Sequence, residues 1–330
     1  MTITLTLGDP AGIGPELVLR AAVLYQPRWP VQVVGSWSVL VQTYERLRRL
    51  GQTAMDPARL AVVDVPAPEA IAPGQPSALT GALSVQYLEA ALAQGCQALV
   101  TGPIAKRYWQ AAGYCYPGQT EFLAQATGAA HTGMCFLARS PHTGWVLRTL
   151  LATTHIPLAQ VPQRLTPEGL TVQFTLLLES LARDFGLTQP RIAVAGLNPH
   201  SGEHGHLGTE EQDLLEPWLA QMQQRFPHVQ LWGPVPPDTL WVLPARAWWY
   251  RDTPGPWDAC IALYHDQGLI PVKALAFEQA VNTTLGLPIV RTSPDHGTAF
   301  DIAGQGKANP ASFLQAWQWA EWLWERRFNP

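Results

Sequence analysis

The sequence predicts an α/β fold with a largely parallel sheet. Short runs of β-branched or apolar residues alternate with longer segments of helical periodicity along most of the chain. The chain has 330 residues, of which 47% are hydrophobic, and this length suffices for the cores of about two domains. Its 27 glycines and 30 prolines are scattered instead of periodic, so collagen-like and low-complexity folds are excluded.

The first half of the chain shows the alternation most clearly. The predicted strands are Ile3–Leu7, Val31–Gly35, Leu60–Val65 and Ala98–Thr101. The predicted helices between them are Pro15–Leu24, Trp37–Leu50 and Leu79–Gln94. A helix that connects two successive strands is the unit from which parallel sheets are built.

The second half continues the pattern with wider spacing. The predicted strands are Gly144–Thr149 and Leu151–Thr154, which we expect to be neighbours, and then Arg191–Ala195 and Ala259–Tyr264. The predicted helices are Pro167–Phe185 and Phe313–Arg327. The four tryptophans of the last helix are expected to pack in the core: Trp317, Trp319, Trp322 and Trp324.

Composition and charge exclude several classes of protein. The net charge is −4, so the basic excess that is typical of nucleic-acid binding is absent. The uncharged segment 70–88 contains Pro73, Gly74 and Pro76 and is not expected to span a membrane. The four cysteines show no CxxC spacing, and the chain begins with a strand pattern instead of a basic leader. We therefore expect a reduced, cytoplasmic protein without a membrane or nucleic-acid partner.

Two glycine-containing motifs follow predicted strands. Gly8–Glu16 opens a predicted helix, and it is either an anion-binding loop or a tight turn with Pro15 at the first helical position. The second motif, Val100–Lys106, lies at a strand end where ligands bind in open α/β sheets. Lys106 is one of only three lysines among the 21 basic residues, and the others are Lys273 and Lys307. Thr120 follows shortly and is either a phosphate-binding hydroxyl or a helix cap.

Three of the nine histidines follow predicted strands. His155, His200 and His265 are far apart in the sequence, and neutral imidazole is the most common protein metal ligand. We therefore expect the fold to assemble them into a metal site with positions open for substrate. His204 and His206 are weaker candidates, because Gly202 and Gly205 disfavour a helix that would align His204 with His200.

Two further blocks indicate phosphate and nucleotide binding. Lys273, Asn282 and Arg291 combine a point charge, an amide donor and a planar fork, and this set suits a phosphate. The run Asp295–Pro310 is polar and rich in glycine, as a nucleotide-binding segment or an ordinary surface loop would be.

Taken together, these blocks resemble the 4-hydroxythreonine-4-phosphate dehydrogenase family of vitamin B6 biosynthesis. The resemblance extends from Gly8 to Pro310. Its last block is also similar to the nucleotide-binding segment of isocitrate and isopropylmalate dehydrogenases, whose fold the family shares. The resemblance thus implies two α/β domains that flank a cleft. Residues 1–118 and 300–330 would form one domain, and residues 119–299 would form the other, which carries the interface of a homodimer with shared active sites.

The resemblance also assigns residues to roles. His155, His200 and His265 would hold one divalent metal ion (zinc, cobalt or magnesium), with ligands from both subunits. Substrate-binding positions fall on Gln119, Thr120, Lys273, Asn282 and Arg291. Cofactor-binding positions fall on Asn282, Leu285, Asp295, Gly297 and Asp301. The general base stays open among Lys106, Asp238 and Asp266. One position departs from the family, because Gln119 replaces a common histidine and carries neither a proton nor a cationic charge.

The reaction implied by the resemblance is the metal-assisted oxidation of 4-phosphooxy-L-threonine by NAD or NADP. The product, 2-amino-3-oxo-4-phosphooxybutanoate, would lose CO2 to give 3-amino-2-oxopropyl phosphate, which would be handed to the next enzyme of the pathway. Two alternatives stay open from the sequence. One is a related dehydrogenase-decarboxylase for another phosphorylated or carboxylated hydroxy acid. The more distant one is a non-redox acyl-phosphate transferase on the same scaffold.

Overall fold

The computed structural model describes residues 2–329 and shows the expected α/β architecture. The strands are β1 (Ile3–Thr6), β2 (Val31–Gly35), β3 (Ala61–Asp64), β4 (Ala98–Thr101), β5 (Gly133–Arg139), β6 (Val146–Leu151), β7 (Arg191–Ala195), β8 (Gln230–Val235), β9 (Ala259–Ala262), β10 (Val281–Leu285) and β11 (Val290–Pro294).

The α-helices are α1 (Gly14–Leu24), α2 (Trp37–Arg49), α3 (Ala78–Ala93), α4 (Lys106–Ala111), α5 (Gln119–Thr127), α6 (Val161–Arg164), α7 (Pro167–Phe185), α8 (Glu216–Arg225), α9 (Pro237–Leu240), α10 (Val242–Trp249), α11 (His265–Ala276) and α12 (Ala311–Phe328). Two of them, α6 and α9, have only four residues each. Among the helices of residues 2–329, none combines the length and the apolar character needed to cross a bilayer.

The chain divides into two compact units. Unit 1 contains the residues up to Ala130 and those from Leu287 onward, and unit 2 is His131–Gly286. The family resemblance implies boundaries at 118/119 and 299/300, and that division stays a prediction. Helix α5 belongs to unit 1 because Phe122 packs edge-on against Trp109 and Tyr116, and β11 belongs there because it pairs with β4.

Unit 1 is built on five parallel strands in the order β3-β2-β1-β4-β11. The carboxyl ends of β1, β4 and β11 therefore lie at one edge of the sheet. Helix α12 packs against β1, β4 and β11. It buries three of its four tryptophans in the core, Trp317, Trp319 and Trp324, whereas Trp322 is half-buried.

Unit 2 contains six strands in the order β10-β5-β6-β9-β7-β8. The pairs β10–β5 and β5–β6 are antiparallel, and the strands from β6 to β8 are parallel. Its core includes Phe136, Leu147, Trp248 and Val272, each nearly inaccessible. The parallel half of this sheet aligns the carboxyl ends of β6, β9 and β7.

Local sequence signals explain why helix α7 matches its predicted bounds. The Thr166 hydroxyl accepts a hydrogen bond from the Gly169 amide at 3.1 Å, and Pro167 occupies the first turn. Gly186 ends the helix with φ 69°, a left-handed conformation that favours glycine. The signals at both ends are local, so the sequence alone locates this helix.

The predicted pair of strands at 144–154 is wrong. One strand, β6, spans Val146–Leu151, and its antiparallel neighbour is the unpredicted β5. Gly144 has φ 78° and lies in the turn between the two strands, where its amide donates to the Ser140 carbonyl. After Leu151 the chain leaves the ladder, and the Thr153 amide and hydroxyl both donate to the Leu263 carbonyl.

Candidate active site

The three candidate metal histidines follow the three adjacent strand ends of unit 2. His155 lies beyond β6, His265 follows β9, and His200 follows β7. Because β6, β9 and β7 are parallel neighbours, their carboxyl ends share one edge of the sheet. The three histidines therefore come after strands whose carboxyl ends lie side by side.

The structure brings His155 and His265 together. Their ring centres are 5.4 Å apart at an interplanar angle of 43°. Two imidazoles that share a tetrahedral zinc, with Zn–N distances of about 2.0–2.1 Å, place their ring centres about 5 Å apart. The pair thus has the spacing of two ligands of one metal ion.

Carboxylates orient two of the three imidazoles. Nδ1 of His265 lies 2.7 Å from Oδ1 of Asp266, and Nδ1 of His200 lies 2.9 Å from Oε1 of Glu203. A carboxylate on Nδ1 favours the tautomer that leaves the lone pair of Nε2 for a metal. The donor set therefore fits a divalent metal of the kind that histidine prefers.

The third ligand is not assembled with the other two. Within residues 2–329, no group of three or more His, Cys, Asp or Glu side chains is arranged to hold a metal ion. His155 and His265 form a pair, and His200 extends from its own loop with a 65% exposed side chain. The described chain alone therefore presents two adjacent candidate ligands and a third candidate that extends from a neighbouring strand end.

The loop that carries His200 has a distorted backbone. His200 and Ser201 have φ of 51° and 53°, and Glu203 and His204 also have positive φ. An α-helix that aligns His200 with His204 is therefore absent, as the glycines in this loop predict. Such conformations cost about 1–3 kcal/mol each and persist only where the surroundings impose them.

Glu211, which was not predicted from the sequence, holds this loop in place. Its carboxylate is buried and accepts the amides of Leu197 and Asn198 at 2.7 and 2.8 Å and the Asn198 side-chain amide at 2.9 Å. The sequence holds a weak signal, since Glu211 lies within a mostly polar stretch at 198–213.

Gln267 is a second residue that the sequence analysis did not identify as functional. Its Nε2 donates to the Gly196 carbonyl at 2.7 Å, and its Oε1 accepts from the Leu263 amide at 2.6 Å. The side chain therefore joins the end of β9 to the end of β7. This link fixes the spacing of the two strand ends from which His265 and His200 extend.

The acidic base candidates of unit 2 differ in their surroundings. Asp266 contacts His265, as described above, and is exposed. Asp238 is exposed in the first turn of α9. Helix α9 contacts the segment Pro199–Gly202 that contains His200. Asp238 is therefore on an element adjacent to the candidate metal site.

The phosphate and cofactor candidates of unit 2 lie on α11 and β10. Lys273 is half-buried on α11, the helix that begins at His265. Asn282 lies on β10, and its Oδ1 is buried without a hydrogen-bond partner among the described residues. This oxygen can therefore accept a hydrogen bond from a ligand. Leu285 is 2% exposed at the end of β10, so its side chain packs in the core.

Arg291 lies in unit 1 on β11 and is buried. Its Nε and Nη2 donate to the Thr101 hydroxyl at 3.2 and 2.8 Å, which ties β11 to the end of β4. Burial lowers the pKa of Arg291 to about 10, and the negative charge of Glu121 acts in the opposite direction. The guanidinium thus stays cationic at neutral pH, as phosphate binding requires.

Gln119, Thr120 and Lys106 are gathered around the start of α5. Gln119 is nearly buried and donates from Nε2 to the Gly102 carbonyl at 3.0 Å. A carbonyl only accepts, so this bond fixes the amide orientation and leaves Oε1, which is buried without a partner in the described chain. A Cβ built on Gly118 would lie 3.8 Å from Nζ of Lys106. Thr120 is half-buried in the first turn of α5.

The candidate cofactor segment follows β11 in unit 1. Asp295 donates its amide to the Ser312 hydroxyl at 3.2 Å. Gly297 and Asp301 are exposed, and a Cβ built on Gly297 meets nothing within 4 Å. This segment leaves open space in front of its backbone, as a ligand-binding loop requires.

Comparison with known proteins gives a consistent result. The family model of pyridoxal phosphate biosynthetic protein PdxA matches residues 18–320. The 4-hydroxythreonine-4-phosphate dehydrogenase of Thermosynechococcus vestitus is 58% identical over 330 residues, which cover 98% of this chain and 97% of the relative.

Solved structures agree with the sequence relatives. The 4-hydroxythreonine-4-phosphate dehydrogenase of Klebsiella pneumoniae has a TM-score of 0.80 at 35% identity, with 98% of this chain and 97% of that chain covered. A terephthalate 1,2-cis-dihydrodiol dehydrogenase of Burkholderia xenovorans LB400 has a TM-score of 0.62 at 29% identity, with 97% of each chain covered.

Proposed function

The chain belongs to the PdxA family of pyridoxal phosphate biosynthetic proteins, and from this membership we propose that it oxidises 4-phosphooxy-L-threonine with NAD or NADP. The product is 2-amino-3-oxo-4-phosphooxybutanoate, which loses CO2 to give 3-amino-2-oxopropyl phosphate. One observation carries this proposal: His155, His265 and His200 follow three neighbouring parallel strand ends. The relatives that match the full length of the chain are named for this reaction.

The metal site is proposed to consist of His155, His200 and His265. Zinc, cobalt or magnesium bound there would supply a Lewis acid that lowers the pKa of the substrate's secondary hydroxyl. Asp266 and Glu203 hold two of the imidazoles through Nδ1. The site would be completed in a homodimer, since a single chain presents only two of the ligands as an adjacent pair.

Lys273, Asn282 and Arg291 are proposed to bind the phosphate. Buried Arg291 presents a rigid guanidinium because Thr101 holds its Nε and Nη2, and Lys273 adds a point charge. Binding energy at the phosphate, away from the reacting carbon, orients the hydroxyl that is oxidised. Thr120 and Gln119 would contact the same substrate, with Oε1 of Gln119 accepting from a substrate hydroxyl or ammonium group.

The proton of the substrate hydroxyl is proposed to move to the Asp238 carboxylate or to Lys106 in its neutral amine form. Asp266 is engaged with Nδ1 of His265, so its role is orientation of that imidazole. Asp238 lies on the helix that contacts the His200 segment, and Lys106 lies at the start of α4 beside Gly118. Both are exposed and thus able to exchange the proton with solvent.

NAD or NADP would supply the hydride acceptor, and Asn282, Leu285, Asp295, Gly297 and Asp301 are proposed to bind it. The exposed backbone at Gly297 allows close approach of a dinucleotide, since no atom occupies the space where a side chain would be. The proposed setting is the cytoplasm, with hand-off of the product to the next enzyme of pyridoxal phosphate biosynthesis.

A related dehydrogenase-decarboxylase activity on another phosphorylated or carboxylated hydroxy acid is a second candidate. Gln119 favours it, because a neutral amide stands where the family commonly has a titratable imidazole. The relatives are named as dehydrogenases, so a non-redox acyl-phosphate transferase is not proposed.

An assay of NADH or NADPH formation tests the proposal. We expect turnover of 4-phosphooxy-L-threonine that a chelator abolishes and that zinc, cobalt or magnesium restores. The variant His200→Ala should lose metal binding and turnover, whereas the control His142→Ala should retain both, since His142 stacks on Trp249 and contacts none of the candidate ligands. Normal metal binding and turnover by His200→Ala would disprove the metal assignment, and turnover of another hydroxy acid alone would select the second candidate.

A further inference from the structure

The first glycine-containing motif does not present its amides to a ligand. Residues 8–16 are all buried. The Asp9 amide donates to the Pro103 carbonyl, the Ala11 amide to Oδ1 of Asp9, and the Gly12 amide to the Asp9 carbonyl. Because these donors are already used, the anion-binding interpretation has little support, and the tight turn is what the structure shows.

Two side chains that follow this turn contact the candidate cofactor segment instead. Glu16 is 2% exposed, and its Oε1 accepts from the Ala308 amide at 2.9 Å. One turn later, Nη1 of Arg20 donates to the carbonyls of Gly306 and Ala308 and contacts Oε1 of Glu16 at 3.3 Å. The backbone amide of Ala308 is thus bound by Glu16, and its carbonyl is bound by Arg20.

The turn itself contacts the other end of the same segment. The Ile13 amide donates to the Thr298 carbonyl at 3.0 Å, and a Cβ built on Gly12 would lie 2.9 Å from that oxygen. Gly12 therefore allows the two backbones to approach closely. The segment between Thr298 and Ala308 is consequently attached to the turn at one end and to α1 at the other.

The segment has little scaffold of its own. Residues 300–306 form successive turns without a helix or strand, and Gly304 and Gly306 have positive φ. Its internal hydrogen bonds connect residues only three or four positions apart, such as Ile302 to Ala299. Contacts from outside the segment must therefore determine its conformation.

We propose that Glu16 and Arg20 are positioning residues for the dinucleotide: they fix the backbone at 306–308 so that the 298–308 segment is ordered before the cofactor arrives. This inference rests on the proposed cofactor role of that segment. An ordered binding loop saves the entropy that a mobile loop would lose on binding. The motif would then serve cofactor affinity from behind the loop, without contact with the cofactor.

The test compares Arg20→Met and Glu16→Gln with a matched control, Arg28→Met. Arg28 also forms an ion pair with a glutamate in unit 1, Glu325, but its side chain is 72% exposed and does not contact the segment. Hydrogen exchange of peptides covering 298–308 is measured without ligand. KM for NAD and NADP, KM for 4-phosphooxy-L-threonine and kcat are measured in the assay described above.

For Arg20→Met we expect exchange of the 306–308 amides to be about tenfold faster and the KM of the dinucleotide to rise about five- to tenfold, because charge-assisted hydrogen bonds are lost. The KM of the phosphorylated substrate should change less than twofold in the same assays. Glu16→Gln retains an acceptor for Ala308 and should give a smaller effect, and Arg28→Met should give none.

Faster exchange without a change in the dinucleotide KM, or equal exchange in Arg20→Met and the wild type, would overturn the inference while the proposed function stands. Parallel losses in both KM values and kcat would show a general structural role and would also overturn it. If the wild type binds neither NAD nor NADP, the proposed function itself fails.

Discussion

The Gln267 side-chain amide donates to the Gly196 carbonyl at 2.7 Å and thereby connects two strand ends that carry candidate metal ligands. In Gln267→Leu, the Gly196 carbonyl and the Leu263 amide would lose their buried partner. We expect a loss of about 1–3 kcal/mol in the free energy of unfolding, together with weaker zinc binding because the strand ends are no longer held at a fixed spacing.

Urea unfolding and zinc titration calorimetry measure the two effects. The control is Gln173→Leu, since Gln173 also donates to a backbone carbonyl in unit 2, that of Thr132, away from the histidines. Zinc affinity that falls equally in both variants would contradict the connection between Gln267 and the metal site.

Because the amide of Gln119 does not titrate, we expect that this residue adds no pH dependence to the KM for 4-phosphooxy-L-threonine. The wild-type amide does not titrate, whereas the imidazole of Gln119→His has an ordinary pKa of about 6.5. We expect the KM for 4-phosphooxy-L-threonine to gain a pH dependence centred near that value in the variant. Gln125→His, on the exposed part of the same helix, should keep the wild-type profile, and superimposable profiles for all three proteins would refute the prediction.

Asp9 should lower the stability of the protein as the pH rises. Burial raises its pKa to about 6 from 3.8, against the hydrogen bonds from Ala11 and Thr80. The folded state therefore binds more protons than the unfolded state between these values, and stability is lost as the pH rises from about 4 through 6. At about 1.4 kcal/mol per unit, the ionised carboxylate costs up to about 3 kcal/mol.

The variant Asp9→Asn removes this titration but keeps an oxygen acceptor for the Ala11 amide. Urea unfolding at several pH values should show the variant gaining stability relative to the wild type between pH 4 and pH 7, by up to about 3 kcal/mol. Asp56→Asn is the matched control, because Asp56 is only half-buried and also accepts from the amide two residues ahead. A constant difference between Asp9→Asn and the wild type across this range would rule out the expected titration.

Two exposed apolar side chains, one on α11 and one directly after it, are candidates for burial in the proposed homodimer. Ile270 is 67% exposed and Phe277 is 66% exposed, and the two are seven positions apart, on one side of the helix. We expect Ile270→Glu combined with Phe277→Glu to convert a dimer into a monomer in light scattering. Leu24→Glu is the control, since Leu24 is 64% exposed in unit 1; a dimer that survives the double substitution would exclude this face as the interface.

Much of the fold could be predicted because its signals are local. Strand β2 and helix α7 match their predicted bounds, since a β-branched run or a cap at each end defines them. Strands β10 and β11 were not predicted, because their buried positions include threonines and serine instead of an apolar run. Their pairing with β5 and β4 depends on residues far away in the sequence.

The candidate site shows the same division. His200 and His265 could be proposed as metal ligands because each follows a correctly predicted strand, whereas the strand Leu151–Thr154 predicted before His155 does not form and β6 ends at Leu151. Glu211 and Gln267 could not, because their partners are backbone groups whose positions exist only in the folded chain. The charges and amide of Lys273, Asn282 and Arg291 predicted a phosphate site before the family resemblance assigned them to substrate binding. The link between Arg291 and Thr101 emerged only from the structure.

Unit 1 is built from both ends of the chain, and this delays its completion during synthesis. Unit 2 is continuous, so all of its strands leave the ribosome before β11 and α12 do. Since chains are made at about 5–20 residues per second, the first strands wait many seconds for the helix that covers β1 and β4. The sheet of unit 1 therefore stays without α12 until synthesis is nearly finished. Loss of the last twenty or so residues would remove the helix that packs against β1, β4 and β11.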